Sequence, residues 1–538
     1  MVYANPDIIE RICGNDGEDE GISTVGEPSE VQQFYEGTCV FVTGGSGFIG
    51  MVLVEKLLRT CPGIQKLFLL MRPIKGKIVE ERTADLFLNK LFEPLRIKYP
   101  RILEKIRIIS GDVEQYNLGI SSSDAELLKK EVNIVFHSAA TIRFDEPLRK
   151  AYQTNVVSLK CLLAMAESMI NLKAFVQVST AFCNTHRGFS KHVKEEFRPG
   201  PYTEEEIETI LNSAEDYTIE CLSKILLGKL PSTYILTKIM GEDLIQRKID
   251  KLPIVVYRPG IVFGTEKEPL RGWNLTFQGA GALQLGAALG ILRTVHVNGE
   301  KITDTIPVDK CASALTVLPW YIHKLRLQGN KKTSPIFQHL SNSITWQETS
   351  QYFRNIAIAD KFVSKSQIWA MHLSFSANSL LYETKAFFFH TAPLPFFILA
   401  EKLQNKQPRI GKIYRKLALL SDQLSHFTLE NWSFDFKNTE QLWSDMTDLD
   451  RRLFNFDMTN FNWLDYFRHT AKGVLLYVLK ETYEEGLRSR DRLRKIIIID
   501  KVLMTLVKGL GLFVFYKAGF SIFNAFRGYV EDQISRLQ

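Results

Sequence analysis

The 538-residue chain has no closely spaced cysteine pair among its seven cysteines (13, 39, 61, 161, 183, 221 and 311). A scattered, odd set of thiols excludes a disulfide scaffold and predicts a catalytic part facing a reducing, cytosol-like compartment. Its ten histidines form no HExxH or related cluster, so no metal site is expected. The chain also lacks a basic start followed by an apolar run, which argues against a cleaved signal peptide. Residues 1–36 instead carry nine acids against one arginine, and 1–35 are expected to be an acidic, disordered leader. The balance reverses at the other end, where residues 488–538 hold ten basic and four acidic residues. The basic charge sits beside apolar segments, so a lipid surface rather than nucleic acid is the expected partner.

What is present starts at Val40-Phe41-Val42-Thr43-Gly44-Gly45-Ser46-Gly47-Phe48-Ile49-Gly50. An apolar run meets three spaced glycines and then a helical pattern. This is a strand, a tight turn and a helix start that lets main-chain N–H groups approach a pyrophosphate. Gly44 permits the turn, Gly47 the phosphate approach and Gly50 close helix packing. Strands are predicted at 38–43, 66–71, 106–109, 134–136, 175–178 and 254–257. Helical stretches are predicted at 49–60, 79–97, 147–170 and 231–249. The alternation predicts an α/β fold, a doubly wound parallel Rossmann-like sheet with ligands above the first strand.

Domain boundaries follow from composition. Residues 36–350 are read as the catalytic domain, 360–470 as a small, aromatic-rich helical domain, and 471–538 as a basic, apolar, membrane-associated tail. Within the first, the Gly- and Ala-rich stretch 270–300 suits a pocket wall or lid more than a rigid strand. Two segments, 386–399 and 496–524, are apolar enough to meet a membrane. The second either crosses as a transmembrane helix, burying Lys508, or lies in the interface, and Arg488, Arg490, Arg492, Arg494 and Lys495 flank it. A buried helical hairpin of a soluble homodimer is the alternative.

An NAD site usually offers an acid at the end of the second strand. Here Met71-Arg72-Pro73 stands there, followed by Lys75 and Lys77. Arg72 is placed to pair with a 2′-phosphate, so NADPH is the expected cofactor. Tyr234-Ile235-Leu236-Thr237-Lys238 puts a phenol and an ammonium on one helical face, where the cation can lower the phenol pKa. Ser179 and Thr180 follow the fifth strand, where a hydroxyl can hold a substrate oxygen. His137, at a strand end, is read as a packed histidine rather than a base.

The stretches TGGSGFIG, KLFLLMRPIKGK, LFEPLR, IVFHSAATIRFDEPLRKAYQTNV, FVQVSTAFCN, YILTKIMGE, VVYRPGIV and IPVDK resemble the extended short-chain dehydrogenase/reductases. More narrowly, they resemble the alcohol-forming fatty acyl-CoA reductases of animals and plants. The resemblance covers nearly everything beyond residue 35. It implies an oxidoreductase of lipid biosynthesis that takes long-chain acyl-CoA through a fatty aldehyde to a primary alcohol with two NADPH. Tyr234 would be the proton donor, Lys238 its activator and ribose anchor, Thr180 the oxyanion-side hydroxyl and Ser179 the alternate. Thr43, Gly44, Gly47, Phe48, Ile49, Gly50, Arg72, Asp112, Ala139, Asn155, Lys238 and Pro259 would meet or support the cofactor, with Asp112 near the adenine. Arg143 has no assigned role. The family's Gly-Pro is missing from the stretch Asn274 to Gly281, which is expected to alter the pocket mouth. Release of aldehyde, or another extended reductase acting on a sterol or nucleotide sugar, are the alternatives. A cytosol-facing catalytic domain on endoplasmic reticulum or peroxisome is the expected location.

Overall fold

A computed structural model describes residues 29–520 except 74–75, 186–190, 276–278, 330–334, 342, 360–363, 404, 406–408, 483–491, 493 and single or paired positions between 503 and 519. Lys75, Lys508, Arg488, Arg490, most of the leader and the end of the tail therefore lie outside the described residues.

Seven short apolar runs pair in parallel as β1 (Cys39–Thr43), β2 (Lys66–Met71), β3 (Ile106–Ser110), β4 (Ile134–His137), β5 (Ala174–Val178), β6 (Ile254–Pro259) and β7 (Ile336–His339). Their order is β7-β6-β5-β4-β1-β2-β3. β1 lies between β2 and β4, so the order reverses at its end and a crevice opens there. Every residue of β1, β4, β5 and β6 is buried, which explains why these strands read as unbroken apolar runs rather than alternating ones.

Helices cover both faces. α1 (Phe48–Thr60) follows β1 directly, and its apolar residues Met51, Val52, Leu53, Val54, Leu57 and Leu58 are buried. Leu148–Tyr152 runs through a π-helical segment, Gln153–Val157, into α2 (Ser158–Glu167). α3 (Thr233–Gln246) precedes β6, and α4 (Val308–Leu327) packs on α1 and β5.

Several expectations need correction. The seventh strand and α4 were not foreseen. The predicted helix 79–97 breaks into Val79–Phe87, Lys90–Phe92 and Glu93–Lys98, because extended Asn89 turns its side chain onto the Leu91 amide at 3.0 Å. The stretch 270–300, expected as wall or lid rather than strand, contains a helix that was not foreseen, Ala280–Ala288. The last residues of the expected leader form the helix Glu30–Tyr35, closed by a Ser29–Gln32 capping box, with the Tyr35 hydroxyl donating to the Thr316 carbonyl at 2.8 Å.

The chain folds as two compact units. The first holds residues up to 281, 298–349 and 422–480; the second holds 282–297, 350–421 and 481 onward. The aromatic-rich stretch 360–470 is thus shared between them. Its later aromatics, Trp443, Phe454, Phe456, Trp463, Tyr466 and Phe467, pack within the first unit. Among the described residues no helix is long and apolar enough to cross a membrane. The transmembrane reading of 496–524 therefore gains no support from them.

Candidate active site

The expected cofactor residues gather at one edge of the sheet, because parallel strands deliver their C-terminal ends to the same side. Thr43 ends β1, Arg72 and Asp112 follow β2 and β3, Ala139 follows β4, and Pro259 ends β6. The glycine turn is shaped by close contact. Gly44 has φ +73°, and a Cβ there would lie 2.6 Å from the Ala139 nitrogen. A Cβ on Gly50 would lie 2.1 Å from the Gly44 carbonyl oxygen. Gly47 is the N-cap of α1, and no side chain caps that helix start. An uncapped N-terminus beside a glycine turn, at the point where strand order reverses, suits a dinucleotide pyrophosphate. Phe48 and Ile49 are half-buried in the first helical turn, and the Phe48 ring stacks on Trp273 at 5.7 Å.

Thr43 and His137 face each other in register across β1 and β4 and are hydrogen bonded at 2.6 Å. The Ala139 amide donates to the same threonine hydroxyl at 3.4 Å. Burial, with Lys238 as a second cause, drives the His137 pKa down to about 3. This imidazole is neutral at pH 7 and serves packing, as its position suggested. Asn155 sits in the π-helical segment. Its amide bridges the Thr141 main chain, accepting at 2.9 Å and donating at 3.1 Å, and donates to the Thr237 hydroxyl at 3.0 Å. It braces the loop after β4 against α3. Arg143 pairs with Asp145 at 3.1 Å.

Arg72 is half exposed at the end of β2. Its guanidinium lies 3.2 Å from Glu114 and 4.0 Å from Asp112. Arg82, which the sequence reading passed over, donates to the Arg72 carbonyl. Two guanidiniums therefore stand where NAD enzymes usually present an acid.

The catalytic candidates meet at the tip of β5. Thr180 hydrogen bonds Tyr234. Lys238, one helical turn beyond Tyr234, donates to the Val178 carbonyl at 2.9 Å and lies 5.9 Å from the phenol ring centre. Desolvation pushes the phenol above its ordinary value, and the Thr180 bond pulls partly the other way. Burial lowers Lys238 to about 8, while Glu242 opposes the shift. Tyr234 is thus a protonated donor at neutral pH, and the expected lowering by Lys238 is not among the causes acting on it.

Ser179 corrects the sequence reading. Its hydroxyl donates to Glu242 at 2.5 Å, so of these two neighbouring hydroxyls Thr180 is the one joined to Tyr234. Glu242 also receives Arg258 through two nitrogens and the Cys183 thiol at 3.2 Å. Its place was readable, since Tyr234, Lys238 and Glu242 recur every four residues on one face of α3.

Residues 42–315 match a NAD-binding family model described as male sterility protein, and residues 389–481 match its companion model of the same description. The fatty acyl-CoA reductase called wat from Drosophila melanogaster is 33% identical over 483 residues, covering 88% of this chain and 91% of the relative. The chain belongs to the fatty acyl-CoA reductase family. Fatty acyl-CoA reductase 2 from Bos taurus is 32% identical over 89% of this chain and 92% of its own length. The human protein of the same name is 31% identical over 87% and 90%. Among solved structures, the terminal reductase domain of the myxalamid pathway superposes with TM-score 0.54 at 18% identity, over 82% of this chain and 91% of that one. A Mycobacterium tuberculosis nonribosomal peptide synthetase reductase domain gives 0.54 at 17% identity, over 88% and 96%. These two likenesses speak to the fold of this reductase.

Proposed function

We propose that this reductase converts long-chain fatty acyl-CoA to the primary fatty alcohol and free CoA, with NADPH as reductant and a fatty aldehyde between two rounds of the same chemistry. The observation that carries the reading is the Thr180–Tyr234 hydrogen bond beside Lys238, at the sheet edge that also holds the glycine turn. The nicotinamide cofactor, when bound, supplies the hydride for each round.

The chain's own residues do the rest. Tyr234 and Thr180 donate to the carbonyl oxygen as charge builds on it, and these bonds matter most at the transition state. In the first round the oxyanion collapses and the C–S bond breaks, expelling CoA thiolate. In the second the alkoxide takes the Tyr234 proton. A phenol held above its ordinary pKa keeps that proton until the oxygen becomes more basic than itself. The Lys238 cation compensates the phenolate left behind. Arg72 and Arg82 favour a 2′-phosphate and hence NADPH.

A lipid surface is the proposed setting for the chain. The described residues between 492 and 520 are helical, and Ile498, Val502, Leu506, Leu512, Phe513, Tyr516 and Phe520 are exposed on them. Basic residues Arg494, Lys495, Lys501 and Lys517 are interspersed. This composition suits an interfacial helix facing anionic lipid. Alkaline extraction of membranes tests this: release identifies a peripheral tail and retention a spanning one.

Incubation of the detergent-solubilised chain with NADPH and C12 to C26 acyl-CoAs tests the reaction. Two NADPH oxidised per alcohol is the expected result, and aldehyde accumulating as the end product would overturn the second round. Tyr234→Phe should lose activity by about 100-fold or more, the usual contribution of a positioned acid. Unchanged turnover would remove Tyr234 from the mechanism.

A further inference from the structure

We infer that Phe144, Phe182 and Phe427 seat the first carbons of the acyl chain, and that Phe427 sets which chains fit. The inference rests on the acyl-CoA reading above and adds a chain-recognition surface to the same site.

Three rings flank the reacting hydroxyl pair. Phe144, on the loop after β4, lies 5.7 Å from the Tyr234 ring. The Phe182 amide donates to the Thr180 hydroxyl at 3.3 Å, which fixes Phe182 next to the second donor. Phe427 joins the two flanks, 5.8 Å from Phe144 and 5.2 Å from Phe182. Phe434 extends the wall, 5.9 Å from Phe182.

Phe427 is held in place firmly. It lies in the last turn of the helix Ile410–Thr428, and its neighbour His426 bonds the Thr185 carbonyl at 2.5 Å. Phe182 and Phe427 are each 8% exposed, whereas Phe144 is only half-buried. The surface is therefore closed behind Phe427 and open at Phe144.

A carbonyl oxygen held by the Tyr234 and Thr180 donors brings the carbons beside it into the neighbourhood of Phe144, which packs on Tyr234, and Phe182, whose amide meets Thr180. Phenyl rings offer no partner to a sugar hydroxyl, which would be left desolvated, and they favour methylene groups. Bulk on those carbons must be accommodated by the arch. Phe427 closes it, so its size decides whether a branch near the carbonyl is admitted.

The test uses the full chain in detergent with NADPH, comparing kcat/KM for hexadecanoyl-CoA and 3-methylhexadecanoyl-CoA. The wild type should prefer the straight chain. Phe427→Ala should reduce that preference about tenfold, the effect usual for one carbon in an apolar pocket, by raising kcat/KM for the branched substrate. Phe427→Leu, a gentler change, should move the ratio in the same direction if the alanine variant does not fold. An unchanged ratio in the folded variants, or a wild type indifferent to the branch, overturns the inference while leaving acyl-CoA reduction intact. A wild type that oxidises no NADPH with hexadecanoyl-CoA would instead remove the acyl-CoA reading itself.

Discussion

The ammonium of Lys238 donates to the carbonyl of Val178, the last residue of β5, at 2.9 Å. This bond ties the helix bearing Tyr234 to the strand that leads into Thr180. Burial lowers the Lys238 pKa to about 8, so the cation is present below that pH and is lost as pH rises through it. Activity should fall on the alkaline side with a midpoint near 8 as the cofactor-free enzyme titrates, read as log kcat/KM against pH. Lys238→Met should remove this limb together with about 100-fold of activity. A limb that persists in the variant would assign it to another group.

Glu242 supports that cation from one turn further along α3. Burial raises its carboxyl, but Arg258 and then the Ser179 and Cys183 hydrogen bonds prevail, and the net direction is down. The arginine is fully buried, so neutralising its partner leaves an uncompensated charge. Glu242→Gln should cost about 3–5 kcal/mol, measured by denaturant unfolding. In whatever fraction stays folded, the alkaline limb should move to lower pH, because the carboxylate that opposed the Lys238 shift is gone. A purely structural role would lower stability and leave the limb in place.

Cofactor choice should follow Arg72. Its pairing with Glu114 at 3.2 Å is exposed and weak, so a 2′-phosphate can compete for the guanidinium. Arg72→Ser should raise KM for NADPH roughly tenfold to a hundredfold, the range of about 1.5–3 kcal/mol for a hydrogen bond to a charged group, while KM for NADH changes little. Arg82→Ser should act in the same direction. Equal effects on both cofactors would move Arg72 to a general structural role.

The sheet and its cofactor edge were legible because local pattern carries them. β1, β2, β4 and β5 are short apolar runs bounded by Gly, Pro or polar turns, and the first helix begins at a glycine turn. Tyr234 and Lys238 were legible because helical spacing fixes their common face. What local pattern could not give was partnership across distance. Ser179 and Thr180 are adjacent in sequence, and only the family resemblance ranked Thr180 first and Ser179 as its alternate, yet one hydroxyl goes to Glu242 and the other to Tyr234. Phe427 arrives from a distant helix within the stretch 360–470, which in the sequence was no more than an aromatic-rich helical region. β7, four residues followed by ordinary polar sequence, is recognisable only from its pairing with β6.

The glycine turn gives the sharpest steric prediction. A Cβ on Gly50 would lie 2.1 Å from the Gly44 carbonyl oxygen and 2.9 Å from the Gly45 Cα, both main chain. Main-chain atoms cannot rotate away, so α1 must shift from the turn. Such overpacking costs about 1–3 kcal/mol, and the shift also displaces the N-terminal amides that would face the pyrophosphate. Gly50→Ala should therefore lower the melting temperature and abolish the further rise that saturating NADPH gives the wild type. Gly44→Ala should do the same through another route, since φ +73° disfavours any side chain and the new Cβ meets Ala139. If Gly50→Ala melted lower but kept the full NADPH-induced rise, the turn would be needed for folding alone, and the pyrophosphate would have to bind elsewhere along the sheet edge.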